Sequence, residues 1–347
     1  GESRRVKASS IAYADDQSSV VDEMPFARAI AQQTGAAHFE HEMTQQDLLD
    51  FLPRMIALQD EPIADPVCVP VYYVSRLARD HDVVVAQVGE GADELFCGYP
   101  YWKMMRRLEL ANRFPVPKFI KRLGLWFLRA IGHGQRSYTE LLRRGIADQP
   151  VFWGGAEAFT EAEKQALLSP RLKKRFAGRT SWEALAPIHK RFTEKSWDHD
   201  PLAWITYLDL NLRLPELLLM RVDKMSMGVS LEARVPFLDH EFVTHVMSLS
   251  SKEKLEGGGL KPLLKRAVRG LIPDSIIDRP KQGFAIPMND WNHGPLGKEM
   301  EQVLRRFCAE TDFFDSDYIE QLLREGRGPQ CWYLTNFALW WNHYIDA

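Results

Sequence analysis

The first hundred residues alternate between two spacings of apolar positions. Val6 to Tyr13 is a short run of β character that ends at Ala14-Asp15-Asp16. Ser18 to Thr34 repeats at helical spacing, with Asp22 and Glu23 early, Phe26, Ala27 and Ile30 on the apolar side, and Gly35 as the stop. His38 to Met43 is extended again. Leu48 to Leu58 and Val69 to Arg79 are helical on either side of the loop from Asp60 to Pro66. Val83 to Val88 is almost continuously apolar, the pattern of a strand buried on both faces of a parallel sheet. Strands alternating with helices predict a doubly wound α/β unit. Such sheets bind ligands at the carboxyl ends of their strands, which points to the loop after Val88.

Beyond residue 100 the pattern turns helical. Tyr101 to Trp197, Trp204 to Ser248 and Lys261 to Leu271 are rich in helix formers, and no second set of buried strands is visible. The expected organisation is an α/β unit over 1–100 and a mostly helical remainder over 101–347 of the same domain. Hydrophobic residues at 45% and charged residues at 26% give core enough without disulfides. A net charge of −3 exerts no global pull toward nucleic acid. None of Cys68, Cys97, Cys308 and Cys331 forms a C-x-x-C pair, and buried thiols in a reducing compartment are expected. No apolar run approaches the roughly 18 residues of a membrane span, and the chain is expected to be cytoplasmic. One stretch, Phe119 to Ile131, is amphipathic and basic. Packing on its own domain is the expected explanation, with a membrane-surface or nucleic-acid role as the alternative.

Three constellations carry candidate chemistry. Val88-Gly89-Glu90-Gly91-Ala92-Asp93-Glu94 follows the apolar run, with two glycines and three carboxylates. Glu94 stands where a dinucleotide-binding loop needs its third glycine, and the carboxylates would repel pyrophosphate unless a cation such as Mg2+ intervened. An acidic turn capping the next helix explains the pattern as well. Arg221 to Asp239 interleaves both signs of charge with apolar residues, as in ion pairs lining a cleft or on a solvated helix face; its methionines are expected to fill core. Asp278 to Pro287 holds Lys281 on a loop stiffened by Pro280 and Pro287, where an ammonium can be held against developing negative charge.

The runs GEGADELFCGY, RVDKMSMGVSLEARVPFLD and RPKQGFAIP, in this order, resemble the synthetase domain of glutamine-dependent asparagine synthetases. The segments SSIAYADDQSSVVDEMPFARAIAQQTGAAHFE and DEPIADPVCVPVYYVSRLAR, Lys261 in GGGLKPLLKRAV and the tryptophan-rich last helix extend the resemblance over nearly the whole chain. It implies a parallel sheet of the ATP-pyrophosphatase (adenine nucleotide alpha-hydrolase-like) type that binds ATP and Mg2+. It also implies adenylation of the aspartate side chain and attack of ammonia on β-aspartyl-AMP. Carried over, Ile11, Val88 and Gly89 contact the nucleotide, Glu90 sits beside the acyl-adenylate, and Asp93 holds Mg2+. Lys281 stabilises the transition state, while Arg221, Asp223 and Lys224 order the nucleotide cleft. Implied partners are aspartate or another carboxylate and ammonia from an upstream glutaminase domain, with no nucleic acid and no membrane; a homodimer is left open.

Three departures accompany the resemblance. The family's first strand and its Ser-Gly-Gly-x-Asp-Ser phosphate loop have no counterpart, so the 1–100 unit is expected to be partial, a fragment unable to adenylate by itself. Val88 stands where the family has Ser, and Cys97 where it has Gly. Amidation of a different carboxylate, as in surface-polysaccharide, secondary-metabolite or β-lactam-forming relatives, and a degenerate non-catalytic member are the rival readings.

Overall fold

A computed structural model describes residues 5–14 and 22–346. The chain opens with strand β1 (Lys7–Tyr13), helix α1 (Met24–Thr34), strand β2 (Ala37–Met43), helices α2 (Gln45–Ala57) and α3 (Cys68–Asp80), and strand β3 (Val85–Gln87). The order is the expected one. The beginning of the predicted first helix, 18–21, and the turn residues Asp15 and Asp16 lie outside the described residues. Gly35 takes the left-handed conformation, φ 67°, and ends α1 as its position predicts. Helix α2 begins three residues before its apolar pattern because Thr44 caps it: the Thr44 hydroxyl accepts from the Asp47 amide, and the Asp47 carboxylate accepts from the Thr44 amide.

β1 pairs with β2 in parallel over its whole length, from Lys7 opposite Ala37 to Tyr13 opposite Met43. β3 pairs in parallel with β4 (Glu232–Arg234), which comes from the Arg221–Asp239 run. Among the described residues these are two separate two-stranded sheets, not the single doubly wound sheet expected. The burial predicted for Val83 to Val88 is not found either: Val84 is 60% and Val85 42% exposed. The reason is geometric. β3 is covered on one edge by β4, and its other edge borders an open cleft of about 1450 Å³ whose opposite wall is β1.

β1 and β3 run in the same direction across that cleft. Near their amino ends the Lys7 ammonium donates to the His81 carbonyl at 2.5 Å. At the carboxyl ends both reach one loop: the Tyr13 hydroxyl donates to the Ala285 carbonyl at 2.7 Å, and Lys281 pairs with Asp93 just beyond β3.

After β3 the chain is helical, as expected, apart from β4. Short helix α4 (Ala92–Phe96) leads into α5 (Pro100–Asn112), α6 (Lys118–Ala130) and α7 (Ser137–Ile146). The main core joins Leu48, Phe51 and Met55 of α2 to Leu296, Met300 and Leu304 of the helix Pro295–Glu310 and to Trp332 and Leu334 of the last helix, Gly328–Tyr344. A second core gathers Trp102, Phe152, Trp204, Ile205 and Leu208. The four cysteines are free; Cys68, Cys97 and Cys331 are buried.

Candidate active site

The loop after β3 is shaped by two close approaches. Gly91 has φ 90°, and a Cβ there would come within 2.3 Å of Leu238. A Cβ on Gly98 would fall 1.9 Å from an Asp93 carboxylate oxygen and 2.4 Å from the Lys261 stem. Glycine at 98 therefore lets Asp93 and Lys261 meet. Between them Cys97, at φ 60° and ψ 50°, ends α4 in the left-handed region where a side chain is strained. The backbone here thus favours the glycine that the resemblance expects, and a buried cysteine adopts the conformation instead.

Asp93 is clamped by two ammonium groups. Lys281 donates to Oδ2 at 2.9 Å, and Lys261 lies 3.0 Å from Oδ1. Burial works against the carboxylate, but Lys261 and Lys281 outweigh it and hold the Asp93 pKa below its ordinary value. Burial likewise lowers the Lys261 pKa despite its partner. Two cations around one carboxylate leave the cluster net positive, which suits an anion such as phosphate. As paired, it does not suit a lone divalent cation. No group of three or more His, Cys, Asp or Glu side chains able to hold a metal occurs among the described residues. A Mg2+ ion fits only if it arrives with phosphates that draw the ammoniums off Asp93.

Glu90 is oriented from behind. The buried Arg221 guanidinium donates to Glu90 Oε1 at 3.0 Å and to Asp65 Oδ2 at 2.5 Å. This pair of charge-assisted bonds fixes Glu90 at the carboxyl end of β3. The Lys281 loop is braced too: Arg279 lies 2.6 Å from Glu23 and over the Phe26 ring of α1, while Tyr13 holds Ala285.

Of the residues singled out in the sequence, Ile11, Val88, Gly89 and Glu90 line the single cleft between β1 and β3. Asp93 and Lys281 meet directly, and Arg221 reaches Glu90. Lys224 instead pairs with Asp60, on the loop before α3, and Asp223 is exposed beside it. Met225 is fully buried and fills core as expected, whereas Met227 faces solvent.

Six participants were not assigned roles from the sequence. Lys261 and Asp65 complete the two ion-pair clusters. Behind Asp93 lies a third, buried group: the Tyr99 hydroxyl donates to Glu94 at 2.5 Å, and Arg213 stacks over the Tyr99 ring and pairs with Asp209 at 3.6 Å. Lys281 sits 5.8 Å from the same Tyr99 ring. Burial raises the pKa of both Glu94 and Asp209, the latter to about 6. The only local hint of Lys261 is its place in the GGGLKPLLKRAV run; Asp65 announces itself by nothing but the Pro-flanked DEPIADP loop.

Comparison with known proteins bears on this arrangement. The family model for asparagine synthase matches residues 2–342. Over 93% of its length the chain is 30% identical to asparagine synthetase [glutamine-hydrolyzing] 1 of Bacillus subtilis, of which it covers 50%. It is 32% identical, again over 93% of its length, to a putative asparagine synthetase [glutamine-hydrolyzing] of Mycobacterium bovis, of which it covers 49%. A further Bacillus subtilis relative, asparagine synthetase [glutamine-hydrolyzing] 3, is 26% identical over 87% of the chain and 42% of its own length. The chain spans about half the length of the curated relatives it matches. The match over residues 2–342 places the chain in the asparagine synthase family.

Proposed function

We propose that this chain carries the ATP-dependent amide-forming step of its family. A carboxylate, aspartate in the first instance, attacks the α-phosphorus of ATP, forming an acyl-adenylate and releasing pyrophosphate. Ammonia then displaces AMP and loses a proton to leave the amide. The observation that carries this reading is the Lys261–Asp93–Lys281 cluster, whose Asp93 follows closely on Glu90, which lines the cleft with Ile11, Val88 and Gly89. Adenylation turns a poor electrophile into a good one, and it requires two anions to be held together while charge builds at phosphorus. Two ammoniums in a partly buried setting supply that compensation. Asp93 is the residue that would hold Mg2+ arriving with the phosphates, and the metal would neutralise phosphate charge there. Glu90, held by Arg221, lies where it can orient the acyl-adenylate. Val88 offers the nucleotide its backbone only.

The cleft supports the further reading that the chain works as part of a longer protein. Neighbouring strands lie roughly 4.8 Å apart. One strand running parallel between the open edges of β1 and β3 would join β2-β1 and β3-β4 into a five-stranded sheet of the ATP-pyrophosphatase type. Its carboxyl end would emerge between Ile11 and Gly89, where a phosphate loop is needed. Without that strand the chain is expected to be inactive. An upstream glutaminase domain would supply the ammonia in this reading. The substrate alternative, a carboxylate other than aspartate, keeps the same chemistry.

The test is pyrophosphate release from Mg-ATP with ammonium, with and without aspartate, on the chain extended at its amino end. Aspartate-stimulated release that falls roughly 100-fold or more in Lys281→Ala is expected. Release with another carboxylate alone would reassign the substrate. No release with any carboxylate tested would favour a degenerate, non-catalytic member.

A further inference from the structure

The basic amphipathic stretch packs on its own domain, as expected, but along one side only. Helix α6 buries none of its 13 residues. It rests on α7 through one side, where Lys121, Gly124, Leu125 and Leu128 are half-covered. The opposite side, at helical spacing, carries Phe119, Leu123, Trp126 and Phe127. Phe119 is 69% and Trp126 67% exposed. Soluble proteins seldom leave large aromatic side chains contiguous and bare, and a patch of this kind marks an interaction surface.

Charge identifies the partner. From Arg113 to Arg136 the chain has six Lys and Arg and no Asp or Glu. The two acids that bracket this stretch, Glu109 and Glu140, are both buried: one accepts from the Phe152 amide and the other pairs with Arg143 and Arg144. Lys118, Arg122 and Arg129 form one flank of the apolar stripe. Lys118 pairs with Asp148, while no ion pair of Arg122 or Arg129 occurs among the described residues. A second copy of the chain packed antiparallel against this face would bring two basic flanks together. An anionic bilayer accepts both features of a convex helix at once, the apolar stripe among the acyl chains and the basic flank among the headgroups. At 13 residues the helix is about 20 Å long, and no helix of the described residues is long and apolar enough to cross a membrane.

We propose that α6 docks this protein onto an anionic phospholipid surface, lying in the plane of the interface with Phe119 and Trp126 inserted. This role is independent of the amide-forming reaction and departs from the expectation that no membrane is involved. Each basic residue near an anionic surface is worth about fivefold in binding.

The experiment is flotation of the full chain with vesicles of phosphatidylcholine, with and without phosphatidylglycerol. Binding to the anionic vesicles is expected to be at least about tenfold tighter than to neutral ones and to weaken as salt is raised. Two double variants separate the contributions. Phe119→Ser with Trp126→Ser removes the insertion and should abolish binding. Arg122→Glu with Arg129→Glu should weaken it by roughly 25-fold or more. Both pairs are exposed, and an unchanged urea midpoint verifies the fold of each variant. Four results would overturn the proposal. One is absence of binding to anionic vesicles, and another is binding indifferent to the serine variant. The third is lipid-free self-association that the serine variant abolishes, which would assign the face to a second copy. RNA binding lost in the glutamate variant but kept in the serine variant would assign it to nucleic acid instead.

Discussion

Cys97 shows how one residue can be legible in kind and illegible in consequence. The sequence marks it as an exception to a glycine, and the structure explains the glycine: the residue that ends α4 must take φ 60° for the chain to turn back over Asp93. A side chain in that region costs roughly 1–2 kcal/mol, and glycine costs roughly 0.5–1 kcal/mol through the unfolded chain. The two nearly cancel. Cys97→Gly is therefore expected to unfold in urea within about 1 kcal/mol of the parent, and Cys97→Val, stiff at its Cβ, to lose more than about 2 kcal/mol. A glycine variant as damaged as the valine one would show that thiol packing, not backbone strain, governs the position. Asp209 makes a second residue-scale prediction. Burial raises its folded pKa from 3.8 to about 6. Between those values the folded state keeps a proton that the unfolded chain releases, so stability falls as pH rises through that window, on the order of 3 kcal/mol in all. Urea midpoints measured from pH 4 to 7 should show this decline, and Asp209→Asn should flatten it. The same slope in the variant would place the titration elsewhere, Glu94 being the next candidate. Glu90, Asp93 and Lys281 were readable because each lies in a compact run of unusual residues. How they pair was not: Arg221 and Asp65 are 156 positions apart, and a long-range ion pair leaves no mark on local sequence.

Among the elements, β3 is the instructive departure. Its apolar run predicts cover on both faces, yet Val83, Val85 and Val88 line an open cleft. An apolar pattern records the surroundings a strand is suited to, and on the proposed five-stranded reading those surroundings include a further strand. β4 was invisible for the opposite reason. Glu232-Ala233-Arg234 has two charges in three residues, and only its pairing with β3 makes it a strand. Supplying a strand, as an amino-terminal extension or as a separate apolar peptide, should slow amide hydrogen exchange in Lys7–Tyr13 and Val85–Gln87 by about tenfold or more. The paired amides of β2 should change far less. Equal exchange with and without the added strand would dismiss the five-stranded arrangement. Helix α6 teaches the same lesson in reverse: its amphipathic period is plain in the sequence, but only the structure shows the apolar side turned outward.

At the scale of the whole molecule, the change from alternating strands and helices to nearly continuous helix was visible from spacing alone. Which helix closes which core was not, because Leu, Met and Trp pack against one another without specifying partners. The core begun by α2 is completed by the last helix, and the Tyr344 hydroxyl reaches back 287 positions to the Ala57 carbonyl. That closure has a consequence for how the protein is made. At roughly 5–20 residues per second, a ribosome takes about a quarter-minute to a minute to span that interval. Throughout that time the nascent α2 and its neighbours must wait without their final covering, and chaperones have longest access to the segments that were synthesised first.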